Sequence, residues 1–409
     1  MSDSSADPVA VFRELHAAGH LVERVAHESG SSLAIQKRLR DEFPADLVRA
    51  ALTLRDLRQR AAASGRFSHA EQMWFDAKGL EQASTEAVAA HKAKRFASMR
   101  DESHELPLVA DFCCGIGADA IALARAGCRV HAVDLSPVCC QFAEWNAEVF
   151  GVSDRLTVTC EDVLQVETSA EFLHIDPDRR PAGRKRVLRV EDCEPGLDDL
   201  QRLMARFRGG AIKLSPASNF GGKFPGCEIE LVSLDGECRE ATVWFGELAG
   251  SEASRATVLP QGESIAADPL SAWTNVGELG EWLYDPDPAV VRSGLVDVVA
   301  ERLGLRRLDD SEEYLTGDSL VDSPFVRPFR VLESLPNNQK EVRRAVRRAE
   351  FGQVEIKCRH IPIDADAVRR KLPLDGTVAG VVTFARQAGK ATAIVCCRPE
   401  ASSSGAATD

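Results

Sequence analysis

A chain of 409 residues that is 44% hydrophobic and 28% charged reads as a globular protein long enough for two or three domains, each with its own core. The net charge of −13 argues against non-specific attraction to nucleic acid over the whole surface, so a polyanionic partner has to be held by local basic patches. The start, MSDSSADPVAVF, has no basic segment followed by a long apolar core, and no later run approaches the roughly 18 apolar residues of a membrane span, so a cytoplasmic location is expected. Twelve cysteines occur without any C-x-x-C, and the adjacent pairs Cys113–Cys114, Cys139–Cys140 and Cys396–Cys397 suit neither a disulfide framework nor a metal centre. They are expected to be reduced and mostly buried, with no metal site.

Residues 1–105 form a helical region in which AVFRELHAAGHLVERVAHE, IQKRLRDEFPADLVRAALTLRDLRQRAAA and TEAVAAHKAKRF repeat apolar residues near i, i+3, i+4 and i+7. Ser84 or Thr85 caps the last helix, with Glu86 in its first turn. Between them Phe75 to Ala83 reads as a loop, either an ordinary linker or, through Lys78, Glu81 and Gln82, a pocket edge. From Leu106 to residue 250 strands and helices alternate, which predicts a Rossmann-like, doubly wound α/β sheet. Its strands are Leu108–Cys114, Arg129–Asp134, Leu156–Cys160, Phe172–Asp176, Ala211–Leu214, Glu228–Leu234 and Ala241–Phe245, with helices at Asp119–Ala126, Pro137–Phe150 and Gly196–Phe207. The pair Asp235–Gly236 predicts a hairpin, and hence an antiparallel last strand. Residues 251–310 read as a linker followed by one helix, Pro286–Leu303, capped by Asp285 or Asp287. A small α/β domain is expected over 311–399, with strands at Arg327–Leu332, Val354–Cys358, Val378–Ala385 and Ala391–Cys396 and helices at Gln339–Ala349 and Ala365–Leu372. Residues 400–409 read as a disordered tail.

The chemistry centres on VADFCCGIGADAIALARAGCRVHAVD, Val109 to Asp134. Gly115 and Gly117 allow a tight turn between strand and helix, and the free N–H groups of the new helix face a ligand. GIGADA fits G-x-G-x-x-[GA] with Asp134 about 20 residues on, so a dinucleotide such as NAD has to be weighed. Asp111 shifts the balance, because a carboxylate at the end of that strand repels a pyrophosphate and welcomes an amino group and a sulfonium. Asp134 is placed for two ribose hydroxyls and Asp162 for an exocyclic adenine amine. The expected cofactor is S-adenosylmethionine, held by Asp111, Gly115, Gly117, Asp119, Asp134, Leu135 and Asp162.

The span from Phe75 to Gly250 resembles the class I S-adenosylmethionine-dependent methyltransferases. DFCCGIGADAIALA is similar to the first motif found near trimethylguanosine synthase, with Cys113 at a position more often glycine. FDAKGLEQASTEAVAAHKAKRFA resembles the helix that closes the cofactor pocket in those RNA-cap enzymes, and Arg327 to Arg398 resembles a THUMP-like domain. The resemblance implies methyl transfer, with RNA as the partner.

Methyl transfer from a sulfonium asks the protein mainly to align nucleophile, methyl carbon and sulfur. The candidate general base is Asp176 in HIDPDRRPAGRKR. In amine methyltransferases of this fold the segment usually reads Asp or Asn, Pro, Pro, aromatic, whereas here Asp178 and Arg179 stand in the last two places. A covalent C5-uridine mechanism would need a cysteine in IKLSPASNF, which has none. Lys213 in that segment is a substrate-contact candidate. Arg179 and Arg180 open a run with Arg184, Lys185, Arg186 and Arg189 that either binds phosphate or is neutralised by Glu191, Asp192 and Glu194. Lys340, Arg343, Arg344, Arg347 and Arg348 form a basic stripe on one helix, the better RNA candidate. The leading reading is a methyltransferase of structured RNA, tRNA or rRNA. The alternatives are a non-catalytic RNA-binding or assembly protein that keeps the pocket, and a methyltransferase of a small molecule or protein.

Overall fold

A computed structural model describes residue 7 and residues 9–99, 106–178 and 189–399. The chain divides into two compact units, Met1–Glu228 with Arg239–Ser251, and Ile229–Cys238 with Glu252–Asp409.

The first unit begins with helices α1 (Ala10–Ala17), α2 (Gly19–His27), α3 (Ser32–Leu39), α4 (Ala45–Ala63), α5 (Ala77–Gln82) and α6 (Glu86–Ala97). Two of the long helices expected from periodicity are broken. Ala18 leaves helical geometry at ψ 47° before Gly19, and Pro44, which lacks an N–H, separates α3 from α4. The segment expected as a loop at 75–83 contains α5, whose Asp76 cap accepts from the Gly79 N–H at 2.5 Å. A Cβ on Gly79 would lie 2.5 Å from the Ile116 side chain, so only glycine lets this turn approach the motif. Of the two cap candidates, Thr85 caps α6. Leu15, Leu21, Val48, Trp74 and Phe75 share one apolar core with Ile116, Phe142 and Trp145, so the helical region is packed around the glycine motif.

The sheet of this unit contains β1 (Leu108–Phe112), β2 (Arg129–Asp134), β3 (Leu156–Cys160), β4 (Phe172–Ile175) and β5 (Gly209–Leu214). Between them run α7 (Ala118–Arg125), α8 (Pro137–Val149) and α9 (Leu197–Met204). The next strands in sequence are β6 (Glu228–Leu234) and β7 (Glu237–Gly246), joined through Asp235 and Gly236, both at positive φ. The order is β3-β2-β1-β4-β5-β7. β1 to β5 are parallel and β7 is antiparallel to β5, as the alternating pattern and the Asp-Gly turn predict. The strand order reverses beside β1, which puts the crevice of this sheet at its carboxyl end.

In the second unit β6 pairs parallel with β8 (Ser254–Leu259), which pairs antiparallel with β9 (Glu263–Ala267). A seven-stranded sheet follows, built from β10 (Trp282–Pro286), β11 (Arg306–Arg307), β12 (Leu315–Gly317), β13 (Val326–Pro336), β14 (Phe351–Cys358), β15 (Val378–Gln387) and β16 (Lys390–Cys397). Its helices are α10 (Pro288–Arg292), α11 (Val296–Leu303), α12 (Gln339–Arg348) and α13 (Ala365–Arg369). Residues 251–310 are therefore no plain linker: Ala256, Val258 and Ile265 are buried in short strands that the neighbouring Gly and Pro residues disguise. The single helix expected over 286–303 is two, parted at Gly294, whose φ of 75° no helix accommodates. Asp287 caps the first, accepting from the Ala289 N–H.

All twelve cysteines are free thiols. Five are buried, six partly buried and Cys160 is exposed, so burial is less general than expected. Among the described residues no helix is long and apolar enough to cross a membrane.

Candidate functional site

The turn after β1 is built from three residues in the left-handed region: Cys113 (φ 57°), Gly115 (φ 55°) and Gly117 (φ 85°). Gly117 opens α7 and packs so closely on α8 that a Cβ would lie 3.1 Å from that of Ala143. The Gly115 N–H donates to Asp134 Oδ2 at 2.9 Å, and the Ser136 N–H donates to Asp134 Oδ1 at 2.8 Å. Both carboxylate oxygens are thereby oriented, and each keeps a further lone pair. Burial raises the Asp134 carboxyl above its usual range, against the two backbone donors that favour the charged form.

A cavity of about 800 Å³ opens here, lined by Asp111, Gly115, Asp119, Asp134, Leu135, Asp162, Asp176 and Lys213 of the expected residues. Gly117 is not in the wall, because its close packing on Ala143 directs it toward α8. Leu135, 74% exposed, and Leu164 present apolar surface at the rim, and Asp162 Oδ1 accepts from the Leu164 N–H at 2.9 Å. Among the described lining residues there are ten carboxylates, two lysines and no phenylalanine, tyrosine or tryptophan.

Beneath the cavity lies a buried polar network that the sequence pattern exposes only in part. Asp111 is 1% exposed and stands opposite His174 in the β1–β4 register. Its Oδ1 meets His174 Nδ1 at 2.6 Å, while Oδ2 has no hydrogen-bond partner among the described residues. Burial raises the Asp111 carboxyl, and His174 opposes that shift. Asp119, in the first turn of α7, is bound by Lys92 Nζ at 2.9 Å and accepts from the Ser84 hydroxyl at 2.6 Å. Lys92 also meets Glu240 at 2.7 Å. Burial would raise the Asp119 carboxyl, but Lys92, Lys213, His174 and Ser84 together hold it well below the carboxylate range. Burial alone would lower the Lys92 ammonium, yet Asp119 and Glu240 carry it above the usual lysine value.

Lys213, the substrate-contact candidate at the cleft end of its strand, lines the cavity with little exposed surface and is engaged by neighbouring groups. Its Nζ lies 2.5 Å from Asp176 Oδ2, 3.7 Å from Asp119 and 3.4 Å from the Gln82 carbonyl. It is the counter-ion of the candidate base, because an unpaired carboxylate pair there would not be tolerated. Asp178 accepts from Lys78 Nζ at 2.8 Å and from Gln82 Nε2 at 3.4 Å, which ties the segment after β4 to α5. The loop edge read at Lys78 and Gln82 thus lines the cavity.

Arg179, Arg180, Arg184, Lys185 and Arg186 lie outside the described residues. Arg189 is exposed and lies near Glu191 and Asp192, the neutralised arrangement weighed for it. On α12, Val342, Ala345 and Val346 face the core while Arg343, Arg344, Arg347 and Arg348 are exposed, so the stripe has the face its spacing predicts; Arg348 pairs with Glu333.

The sequence reading missed His174, Lys92 and Glu240. His174 interrupts the apolar run FLHI as Asp111 interrupts VADF, and Lys92 is four residues from both Val88 and Phe96, which places it on the inward face of α6.

Comparisons with known proteins bear on the same segments. Residues 326–398 match the family described as THUMP domain-like and residues 107–188 the family described as RNA cap guanine-N2 methyltransferase. Two relatives from Mycobacterium tuberculosis, strains CDC 1551 and H37Rv, are described as uncharacterized S-adenosylmethionine-dependent methyltransferases. Each is 37% identical over 336 residues, covering 80% of this chain and 89% of the relative. A crystal structure from Porphyromonas gingivalis W83, described as a candidate methyltransferase, is similar in fold, with a TM-score of 0.72 at 19% identity over 98% of this chain and 100% of that one.

Proposed function

This chain belongs to the S-adenosylmethionine-dependent methyltransferases, and on that premise we propose that it methylates structured RNA, tRNA or rRNA, by direct in-line transfer at the cavity beside β1. One observation carries the reading of the site: Asp111, Asp134, Asp162 and Asp176, from the carboxyl ends of four strands, all line one cavity. Its chemistry fits the cofactor. A wall with ten carboxylates disfavours the pyrophosphate of NAD and favours a ligand with an ammonium and a sulfonium. Asp111 Oδ2, without a hydrogen-bond partner among the described residues, is an acceptor suited to the ammonium. Asp134 has lone pairs left for two ribose hydroxyls, Asp162 suits the adenine amine, and Leu135 offers the base an apolar face.

When bound, S-adenosylmethionine supplies an electrophilic methyl group on sulfur. The residues of the chain then have to hold the acceptor in line and receive its proton. In this reading Asp176 is the acceptor-side carboxylate. Lys213 is a positioning residue, since its ammonium pairs with the Asp176 side chain and fixes where that carboxyl group meets an N–H of the acceptor. With no phenylalanine, tyrosine or tryptophan in the described wall, the acceptor is fixed by hydrogen bonds and charge rather than by the stacking used where an aromatic follows the Asp-Pro-Pro segment. RNA as the acceptor is supported by the two RNA-related families matched and by the basic face of α12.

The test is transfer of labelled methyl from S-adenosylmethionine to total RNA from a strain lacking this protein. Label in one RNA species, absent with Asp176→Asn, supports the reading. Label in a small molecule or protein instead removes RNA and leaves the enzyme class standing.

A further inference from the structure

We propose that the second unit carries a binding site for one divalent first-row transition-metal ion, formed by Glu312, Glu313 and His360. The two glutamates lie between β11 and β12, and His360 follows β14. One ligand atom from each lies within 4.8 Å of the other two. A lone group of acids would carry little weight, because such groups are common on protein surfaces. Glu312 is different: the residue is 0% exposed, its Oε1 accepts from the Arg386 N–H at 2.9 Å, and its Oε2 is buried with no hydrogen-bond partner among the described residues. Leaving a carboxylate oxygen unmatched in the interior is costly, and a cation is the partner that a second acidic group and an imidazole beside it are suited to share.

The backbone that presents the ligands is fixed independently of any ion. Asp309 Oδ1 accepts from the Ser311 N–H at 3.1 Å and from its hydroxyl at 2.7 Å, and Asp309 Oδ2 accepts from the Gly389 N–H at 2.8 Å. Arg307 Nη1 donates to the Glu312 carbonyl at 2.8 Å. His360 Nε2 and Glu313 Oε2 lie 2.7 Å apart, so an ion entering between them replaces their direct contact with two metal–ligand bonds. Metal–ligand distances of about 2.0–2.2 Å set neighbouring donors about 3 Å or more apart, so His360 Nε2 and Glu313 Oε2 have to part slightly to admit the ion. The His360 side chain, 43% exposed, is free to make that adjustment. Two carboxylates and one imidazole, without thiolate, match an ion of the Mn²⁺, Fe²⁺, Co²⁺ or Zn²⁺ group, with water in the remaining positions. An ion there would clasp the loop before β12 to the end of β14.

The site is tested with Co²⁺ on the full-length, chelator-treated protein, in the presence of S-adenosylhomocysteine to occupy the carboxylate-lined cavity. Co²⁺ reports thiolate ligands by a separate charge-transfer band, which distinguishes this site from the twelve cysteines. The expected result is one equivalent bound, with visible d–d bands and no thiolate band. Binding should weaken about tenfold or more in His360→Ala and in Glu312→Gln. His360 is exposed, so its substitution leaves folding intact, as circular dichroism would verify. No saturable binding, or equal binding by the wild type and His360→Ala, overturns the proposal.

Discussion

At the residue scale the site rests on side chains whose environments oppose their chemistry. Cys113 adopts a left-handed φ of 57°, which costs an L-residue about 1–2 kcal/mol, where glycine would cost about 0.5–1 kcal/mol in chain entropy. Cys113→Gly is therefore expected to be neutral or up to about 1 kcal/mol more stable in denaturant unfolding. Its thiol, pushed well above the ordinary cysteine range by burial and by the carboxylates around it, is not poised as a nucleophile. Lys92 is 2% exposed between Asp119 and Glu240. Lys92→Met leaves two buried carboxylates without their cation and should cost about 3–5 kcal/mol in stability, read as a lower midpoint of unfolding. Asp134→Ala keeps the fold but removes the oriented pair of oxygens, and calorimetry should show S-adenosylhomocysteine binding weakened at least about tenfold, a loss of about 1.4 kcal/mol or more.

At the scale of elements, two contacts are set by helices far apart in sequence. α5 reaches Asp178 through Lys78, on a surface where a single ion pair contributes roughly 0–1 kcal/mol. Lys78→Ala should therefore leave the unfolding midpoint nearly unchanged. Any rise in the KM for methyl acceptor would then reflect the tie between α5 and the segment after β4 rather than lost folding. α12 places Arg344 and Arg347 on its exposed face. Replacing both with Glu should weaken RNA binding and reduce the dependence of affinity on salt in filter-binding or polarisation assays, while binding of S-adenosylhomocysteine stays unchanged. Unchanged RNA affinity would remove α12 from the docking surface.

For the molecule as a whole, the buried ion pairs give stability a defined pH window. Asp119 has a folded pKa depressed below its ordinary 3.8, so its contribution is present above that value and lost as pH falls toward the lower, folded one. Lys92 has a folded pKa raised above 10.5, so its contribution is present below 10.5 and lost as pH rises through the higher, folded one. Together they predict a stability plateau between about pH 4 and pH 10 that Lys92→Met lowers and narrows. Ligand affinity follows the opposite acid pattern. Asp111 and Asp134 have carboxyls raised above 3.8, so as pH falls they lose charge sooner than ordinary carboxylates. Binding of S-adenosylhomocysteine should thus weaken at a pH where Asp119 is still ionised and the fold still intact.

The sequence by itself determined the parallel α/β sheet, its antiparallel β7 and several of the carboxylates that line the cavity. Period-2 and period-3.6 patterns are local, and a carboxylate at the end of an apolar strand is visible wherever it occurs. It also determined the exposed basic face of α12, because the i, i+3, i+4 spacing on a helix fixes which side chains share a side. What only the tertiary structure decided is which charges neutralise one another. Asp119 and Lys213 both line the cavity, but that Lys213 meets Asp176 and that Lys92, 27 residues before Asp119, binds the Asp119 carboxylate is visible only in the fold. The strands at 254–267 were hidden for a related reason: β8 is held by β6, about 25 residues earlier, as well as by the adjacent β9, rather than by its own short, interrupted run. Pairing of buried charges and of short strands is a property of distance in space, and the local pattern of a chain carries no record of it.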